Sequence, residues 1–236
     1  MVEIGSIEAS DGSGAEFLDR IILVVDVLVR VLPGSHKPLL YMSQIKFFGK
    51  DYSASLFRAN KSLAKLQCAS SHLQLAEIYT HMKAADDGLA ALDGALSLDF
   101  KIRNHVRYWV VKGLCLRLKN EDAESLAVFE SALKIESVAT FVSGSTSRDI
   151  TKPRSLEQLS LGIQVATIYI ELMSLQIKLN LTADSIATMS AAMAVFKGTF
   201  HEQRFAFSNV DLCLSMNEID KAIHILNNFT GSQGYN

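Results

Sequence analysis

The stretch from Ser71 to Ser137 constrains this chain more than any other, because it carries one pattern of small and large residues twice. In the first copy Leu75, Ala76 and Tyr79 are followed by Gly88, Leu92 and Ala95. In the second, Trp109, Gly113 and Leu116 are followed by Ser125, Phe129 and Ala132. A helix-turn-helix accounts for both sets: Ala76 or Gly113 lets two antiparallel helices approach closely, and Tyr79, Leu92 or Phe129 fills the space beside the contact. The copies lie roughly 37 residues apart. A period of about 20 to 50 residues marks a repeat architecture in which each unit needs a neighbour to cover its apolar face.

The period is close to the tetratricopeptide value of about 34 residues, and composition agrees with long helices. Three prolines and thirteen glycines in 236 residues leave few breaks in a chain rich in Ala, Leu and Ser. The expected fold is all-α, a right-handed tetratricopeptide-like solenoid over residues 16–236, after a Gly-, Ser- and acid-rich tail at 1–15 that reads as flexible. EFLDRIILVVDVLVRVL opens it with a wide apolar stripe; Asp19, Arg20, Asp26 and Arg30 interrupt that run and argue against a membrane span, and Asp26 can pair with Arg30 at i,i+4. A third copy follows, with a turn at Gly49 to Asp51 and small residues Ser55, Ala59 and Ser62. The pattern breaks at about 137–155, where Ser, Thr, Gly and Pro153 predict a flexible linker. It resumes with Ser185, Met189 and Ala192, and then with Ala222, Leu226 and Phe229. Capping boxes are expected at Ser71 with Gln74, Ser155 with Gln158 and Thr199 with Glu202. Both ends of such a stack are expected to expose apolar surface.

Several function classes find no support. A formal charge of -2 and a pI of about 6.3 offer no basic field for nucleic acid. Cys68, Cys115 and Cys213 are odd in number and far apart, as in a reduced intracellular protein. His201-Glu202 starts like a zinc motif but has Phe205 where the second histidine would stand, and Gly49-Lys50 lacks the rest of a phosphate loop. No catalytic set, cofactor or metal is expected. In DFKIRNHVRYWVVK the cations Lys101, Arg103 and Arg107 interleave with aromatics and form a candidate partner surface, although Trp109 also fits as the large packing residue of its repeat. The repeat-packing set comprises Leu75, Ala76, Tyr79, Leu92, Ala95, Trp109, Gly113, Phe129, Ala132, Ala222 and Leu226. A cytosolic peptide-binding adaptor or co-chaperone is the alternative use of such repeats. It would need cations and amides converging from successive first helices, which Gln74, Glu77 and Lys112 do not supply.

A more specific signature lies at the C-terminus. Asn209, Asp211, Leu212 and Leu214, then Ile219, Asp220 and Ala222, then Leu226, Asn228, Thr230, Gln233 and Tyr235 follow one family's order. Together with Phe196 to Thr199, DFKIRNH and VLVRVLPG, they resemble an internal portion of the tetratricopeptide repeat protein 21 family, the tetratricopeptide-repeat subunit of intraflagellar transport complex A. Lys197 departs from the family's Phe-Ser-Gly-Thr. The resemblance implies a non-enzymatic scaffold for retrograde ciliary transport and cilium assembly. Its implied partners are other complex A subunits and cargo adaptors, with no nucleic acid and no direct membrane insertion. The implied location is the cytoplasm and the cilium, at axoneme and basal body.

Overall fold

The computed structural model describes residues 13–144 and 155–231. Among the described residues there are twelve α-helices, one short 3-10 helix and no strand. The chain divides into two compact units, Met1–Glu121 and Asp122–Asn236.

The first unit contains α1 (Ser13–Val31), α2 (Lys37–Phe48), α3 (Tyr52–Lys65), α4 (Ala69–His81), α5 (Ala85–Leu98), the 3-10 helix (Phe100–Asn104) and α6 (Val106–Leu118). Helices α2 and α3 pair as one hairpin and α4 and α5 as another, with α6 laid across the second. Side-chain size at the crossings allows this. Ser43 and Ser55 each donate to the other's main-chain carbonyl at 2.8 Å, so two fully buried hydroxyls are satisfied where the helices come closest. Gly88 does the same work in the next hairpin: a Cβ there would stand 2.7 Å from Cys115 Sγ and 3.5 Å from the Ala76 carbonyl. Leu75, Ala76, Ile78, Leu92, Tyr108, Val111 and Cys115 form one buried cluster, with Tyr79 and Trp109 packed at its margin.

Five of the interhelical turns use the same backbone device. Lys50, Lys83, Asn120, Asn180 and Asn217 all have φ near +60°. The amide after each closes a six-residue ring onto the helix before it: Asp51 to Lys46, Ala84 to Tyr79, Glu121 to Leu116, Leu181 to Gln176 and Glu218 to Cys213, all at 2.8 to 3.0 Å. This left-handed cap satisfies carbonyls that a helix end would leave open, and asparagine adopts it more readily than branched residues.

The second unit contains α7 (Asp122–Leu133), α8 (Glu136–Ser143), α9 (Leu156–Lys178), α10 (Thr182–Phe196), α11 (Glu202–Ser215) and α12 (Ile219–Gly231). Its centre is aromatic: Phe196 stacks on Phe205 at 5.0 Å and meets Tyr169 edge-on at 6.3 Å. Asp122 at the start of α7 pairs with Lys178 at the end of α9 at 2.6 Å. By length and composition α9 could cross a membrane, but 61% of its apolar window is buried, as in a core helix.

Four local expectations change. Helix α1 starts at Ser13, inside the expected tail, while residues 1–12 lie outside the described residues. The expected linker begins with α8, because Val138 and Phe141 find a core and are 0% and 7% exposed; residues 145–154 of it lie outside the described residues. Ser71 is not a cap: α4 starts at Ala69, and the Ser71 hydroxyl turns inward to Ser62 and Cys68. Thr199 does not cap α11 with Glu202 either, since Glu202 accepts from the Gly198 amide and His201 holds the cap position. The box of Ser155 and Gln158 is present in both halves. Asp26 and Arg30 pair at 2.5 Å.

Two tests follow from this packing. Gly88→Ala should cost about 1–3 kcal/mol in urea unfolding by overpacking against Cys115, and adding Cys115→Ala should recover part of that loss. The second concerns His81, which sits edge-on to Phe47 at 4.8 Å and stacks with Tyr52 at 5.4 Å. Burial lowers its pKa below the ordinary imidazole value, against the opposing pull of Glu77. The unfolded chain therefore takes up the proton first as pH falls, and stability present above about pH 6.5 is lost on acidification. The melting midpoint read from Trp109 fluorescence should drop from pH 7.5 to 5.5, and His81→Phe should shrink the drop.

Candidate functional site

The candidate surface at Lys101, Arg103 and Arg107 is built on the turn between α5 and α6. Asp99 caps the 3-10 helix by accepting from the Lys101 amide at 2.9 Å. The helix brings the Arg103 guanidinium over the Phe100 ring, 4.6 Å from its centre, while the Arg103 carbonyl accepts from Trp109 Nε1 at 2.6 Å. Phe100 is 67% exposed. Lys101 and Arg103 thus stand on an outward aromatic-cation patch. A second patch has Lys61 4.3 Å from the ring centre of exposed Phe57 on α3.

Arg107 does not join them. Its guanidinium points inward to α4, where Nη2 donates to Gln74 Oε1 at 2.6 Å and to Glu77 Oε2, and Nε donates to Glu77 Oε1 at 3.2 Å. Both side chains of the ion pair are about three-quarters covered. A forked, partly desolvated pair of this kind fixes how α6 lies on α4. The sequence held the signal, an arginine one residue before Tyr108 and two polar residues a turn apart on α4, but nothing local to say that they face one another.

The repeat-packing residues divide similarly. Leu75, Ala76, Leu92, Ala95, Phe129, Ala132 and Ala222 are at most 5% exposed, Gly113 is buried, and Tyr79 and Trp109 are half-buried. Leu226, on α12, departs from the set at 38% exposed. Part of the C-terminal signature is outward as well: Leu212 and Ala222 are buried, but Leu214 and Ile219 are 52% and 53% exposed and Asp211 is exposed. Asn228 to Tyr235 lie beyond the described side chains. On another side of the same hairpin, an open groove of about 600 Å³ is lined by Ile186 and Met189 of α10, Leu212 of α11, Met216 just after it, and Lys221 and Ile225 of α12.

Among the described residues no three His, Cys, Asp or Glu side chains stand together as metal ligands. Burial pushes the Cys115 and Cys213 thiols up, away from the thiolate form.

The family model for the tetratricopeptide repeat protein 21 ARM repeat matches residues 100–236, more than half of the chain. The chain belongs to the tetratricopeptide repeat protein 21 family. Tetratricopeptide repeat protein 21B of Homo sapiens is 26% identical over 220 residues, and tetratricopeptide repeat protein 21A of Mus musculus is 24% identical over 221 residues. In each case the match takes in 92% of this chain and 16% of the relative, so the chain spans about a sixth of the length of these family members. A tetratricopeptide repeat protein from Parabacteroides merdae shares the fold, with a TM-score of 0.51 at 13% identity over 96% of this chain and 91% of that one. The two repeat names meet in the helix spacing. First helices begin at Lys37, Ala69 and Val106 with tetratricopeptide-like spacing, then at Leu156 and Glu202, nearer the roughly 40–47 residues of armadillo-type units.

Replacing Arg107 by Met keeps the stem and leaves Glu77 and Gln74 facing a cover without a donor. It should cost about 1.5–3 kcal/mol in chemical unfolding, whereas Lys101→Met on the outward patch should stay within about 0.5 kcal/mol.

Proposed function

We propose that this chain is a non-enzymatic section of a protein-interaction scaffold, working with intraflagellar transport complex A in retrograde ciliary transport and cilium assembly. The observation that carries the reading is the family match over residues 100–236, which takes in the signature from Asn209 to Tyr235. The mechanism is presentation of surface. Hairpins held by small-residue crossings and left-handed turns keep their outward residues in fixed positions, and partner proteins read those positions. Phe100 with Arg103, Phe57 with Lys61, and the outward side of the terminal hairpin are the surfaces offered. Partners in this reading are other complex A subunits and cargo adaptors, met in the cytoplasm and at the axoneme and basal body. An adaptor that clamps peptide carboxylates gains nothing from α6, whose Arg107 is engaged by Glu77.

Expressed with an affinity tag in ciliated cells, the full chain should co-purify complex A subunits and concentrate at basal body and axoneme. A folded chain that recovers none of those subunits would sink the proposal.

A further inference from the structure

The formal charge of -2 is unevenly spread along the chain: from Lys37 to Lys65, the hairpin of α2 and α3, six cations stand against Asp51 as the one carboxylate. Asp51 caps α3, accepting from the Ala54 amide at 3.1 Å. Arg58, Lys61 and Lys65 follow at intervals of three and four, which sets them along one side of α3. No carboxylate among the described residues pairs with any of the three. Two of them gather on an aromatic ring instead. Lys61 Nζ stands 4.3 Å and the Arg58 guanidinium 5.9 Å from the ring centre of Phe57, which is 54% exposed.

Phe57 is outward by register. Five places after each left-handed turn residue the chain carries a small buried residue: Ser55, Gly88, Ser125, Ser185 and Ala222. Two places further on stand Phe57, Ala90, Ala127, Ala187 and His224, all of them exposed. Ala90 is exposed although α6 lies across its hairpin. A missing neighbour is therefore not the reason that Phe57 meets water. Where three of the equivalent positions carry only a methyl group, α3 carries a phenyl ring with two cations held on it.

The basic row is one helix wide. On α5, the second helix of the following hairpin, Asp86, Asp87 and Asp93 are exposed. They repel a broad polyanion, such as a bilayer or a nucleic-acid duplex, laid over both helices. A narrow acidic chain along α3 avoids them. Lys61 also lies over a ring face that a stacked base would use, which favours carboxylates over a single-stranded nucleic acid.

We propose that the Phe57 face of α3 docks an acidic segment of a partner protein, a run of Asp and Glu around one large apolar residue. Carboxylates of the segment take the Lys61 ammonium and the Arg58 guanidinium, Lys65 extends the row, and the apolar residue covers the open part of the Phe57 ring. Because the ring already holds both cations in place, less side-chain freedom is lost on binding. This deepens the scaffold reading and rests on it.

A fluorescein-labelled peptide of sequence Asp-Glu-Glu-Leu-Asp-Glu-Phe-Asp-Glu serves as probe against the full chain at physiological ionic strength. Its anisotropy should rise saturably. Lys61→Glu should weaken binding about tenfold or more, since it sets a carboxylate against carboxylates. Phe57→Ala, which installs the residue of the equivalent positions, should weaken it severalfold. Lys197→Glu, the same charge change in the second unit, should leave it unaltered, and circular dichroism should show all three variants folded. No saturable binding, equal affinity for Lys61→Glu or Phe57→Ala, or equal loss with Lys197→Glu would overturn the docking face. So would tighter binding of oligouridine or of phosphatidylserine vesicles that Lys61→Glu abolishes, because a nucleic acid or a membrane would then be the occupant. Complex A subunits recovered by a chain that binds no acidic peptide would overturn the face while leaving the scaffold reading intact.

Discussion

The close crossing of paired helices is the constraint on which the rest of this structure depends. Buried Ser43 and Ser55 bond to one another across one helix pair, and in the next an added Cβ at Gly88 would meet Ala76 O at van der Waals distance and Cys115 Sγ at only 2.7 Å. Close approach brings Leu75, Leu92 and Ile78 into one dense cluster, where dispersion contacts and loss of apolar surface to water add up over many atoms. It also makes demands on the chain. A hydroxyl placed at a crossing must find an acceptor, and the mutual Ser43 and Ser55 bonds to main-chain carbonyls meet that demand without adding volume. The turn must be short, and the left-handed residue ends the first helix and starts the second within a few residues.

Such hairpins were legible in the residues because crossing contacts leave a local trace. Small residues at Ala76, Gly88 and Ala95 recur at helical spacing, and their burial follows from the pattern alone. The turn residues were less visible, since lysine at positions 50 and 83 reads as ordinary surface and only asparagine at 120, 180 and 217 hints at a left-handed backbone. Caps were least legible. A Ser-x-x-Gln pattern predicts a box wherever it occurs, yet the Ser71 hydroxyl has a better use across the helix pair with Ser62. Tertiary contact overrode local chemistry there, and again at α8, where polar neighbours concealed two residues with a core to enter.

The surface was legible only in part, for a related reason. A cation beside aromatics can point outward or inward, and composition does not distinguish the two. Arg103 and Arg107 are one helical turn apart. The first lies over Phe100, while the second crosses to Glu77. The choice depends on what α4 presents, thirty residues earlier in the chain, and no window along the sequence contains both partners.

That long-range pair also explains how similar hairpins avoid sliding past one another. Apolar faces of Leu, Val and Ala are nearly equivalent under a shift of one helical turn, so burial alone specifies register weakly. A forked arginine on a carboxylate about three-quarters covered specifies it strongly, because a displaced helix would leave both charges partly desolvated and unmatched. The net contribution of such a pair to stability is modest, since desolvation offsets much of the attraction. Its larger effect is to penalise the wrong alignments. In a repeat protein, where every hairpin offers its neighbour almost the same face, Glu77 does what the apolar residues around it cannot: it distinguishes one seat for α6 from the seats a turn to either side.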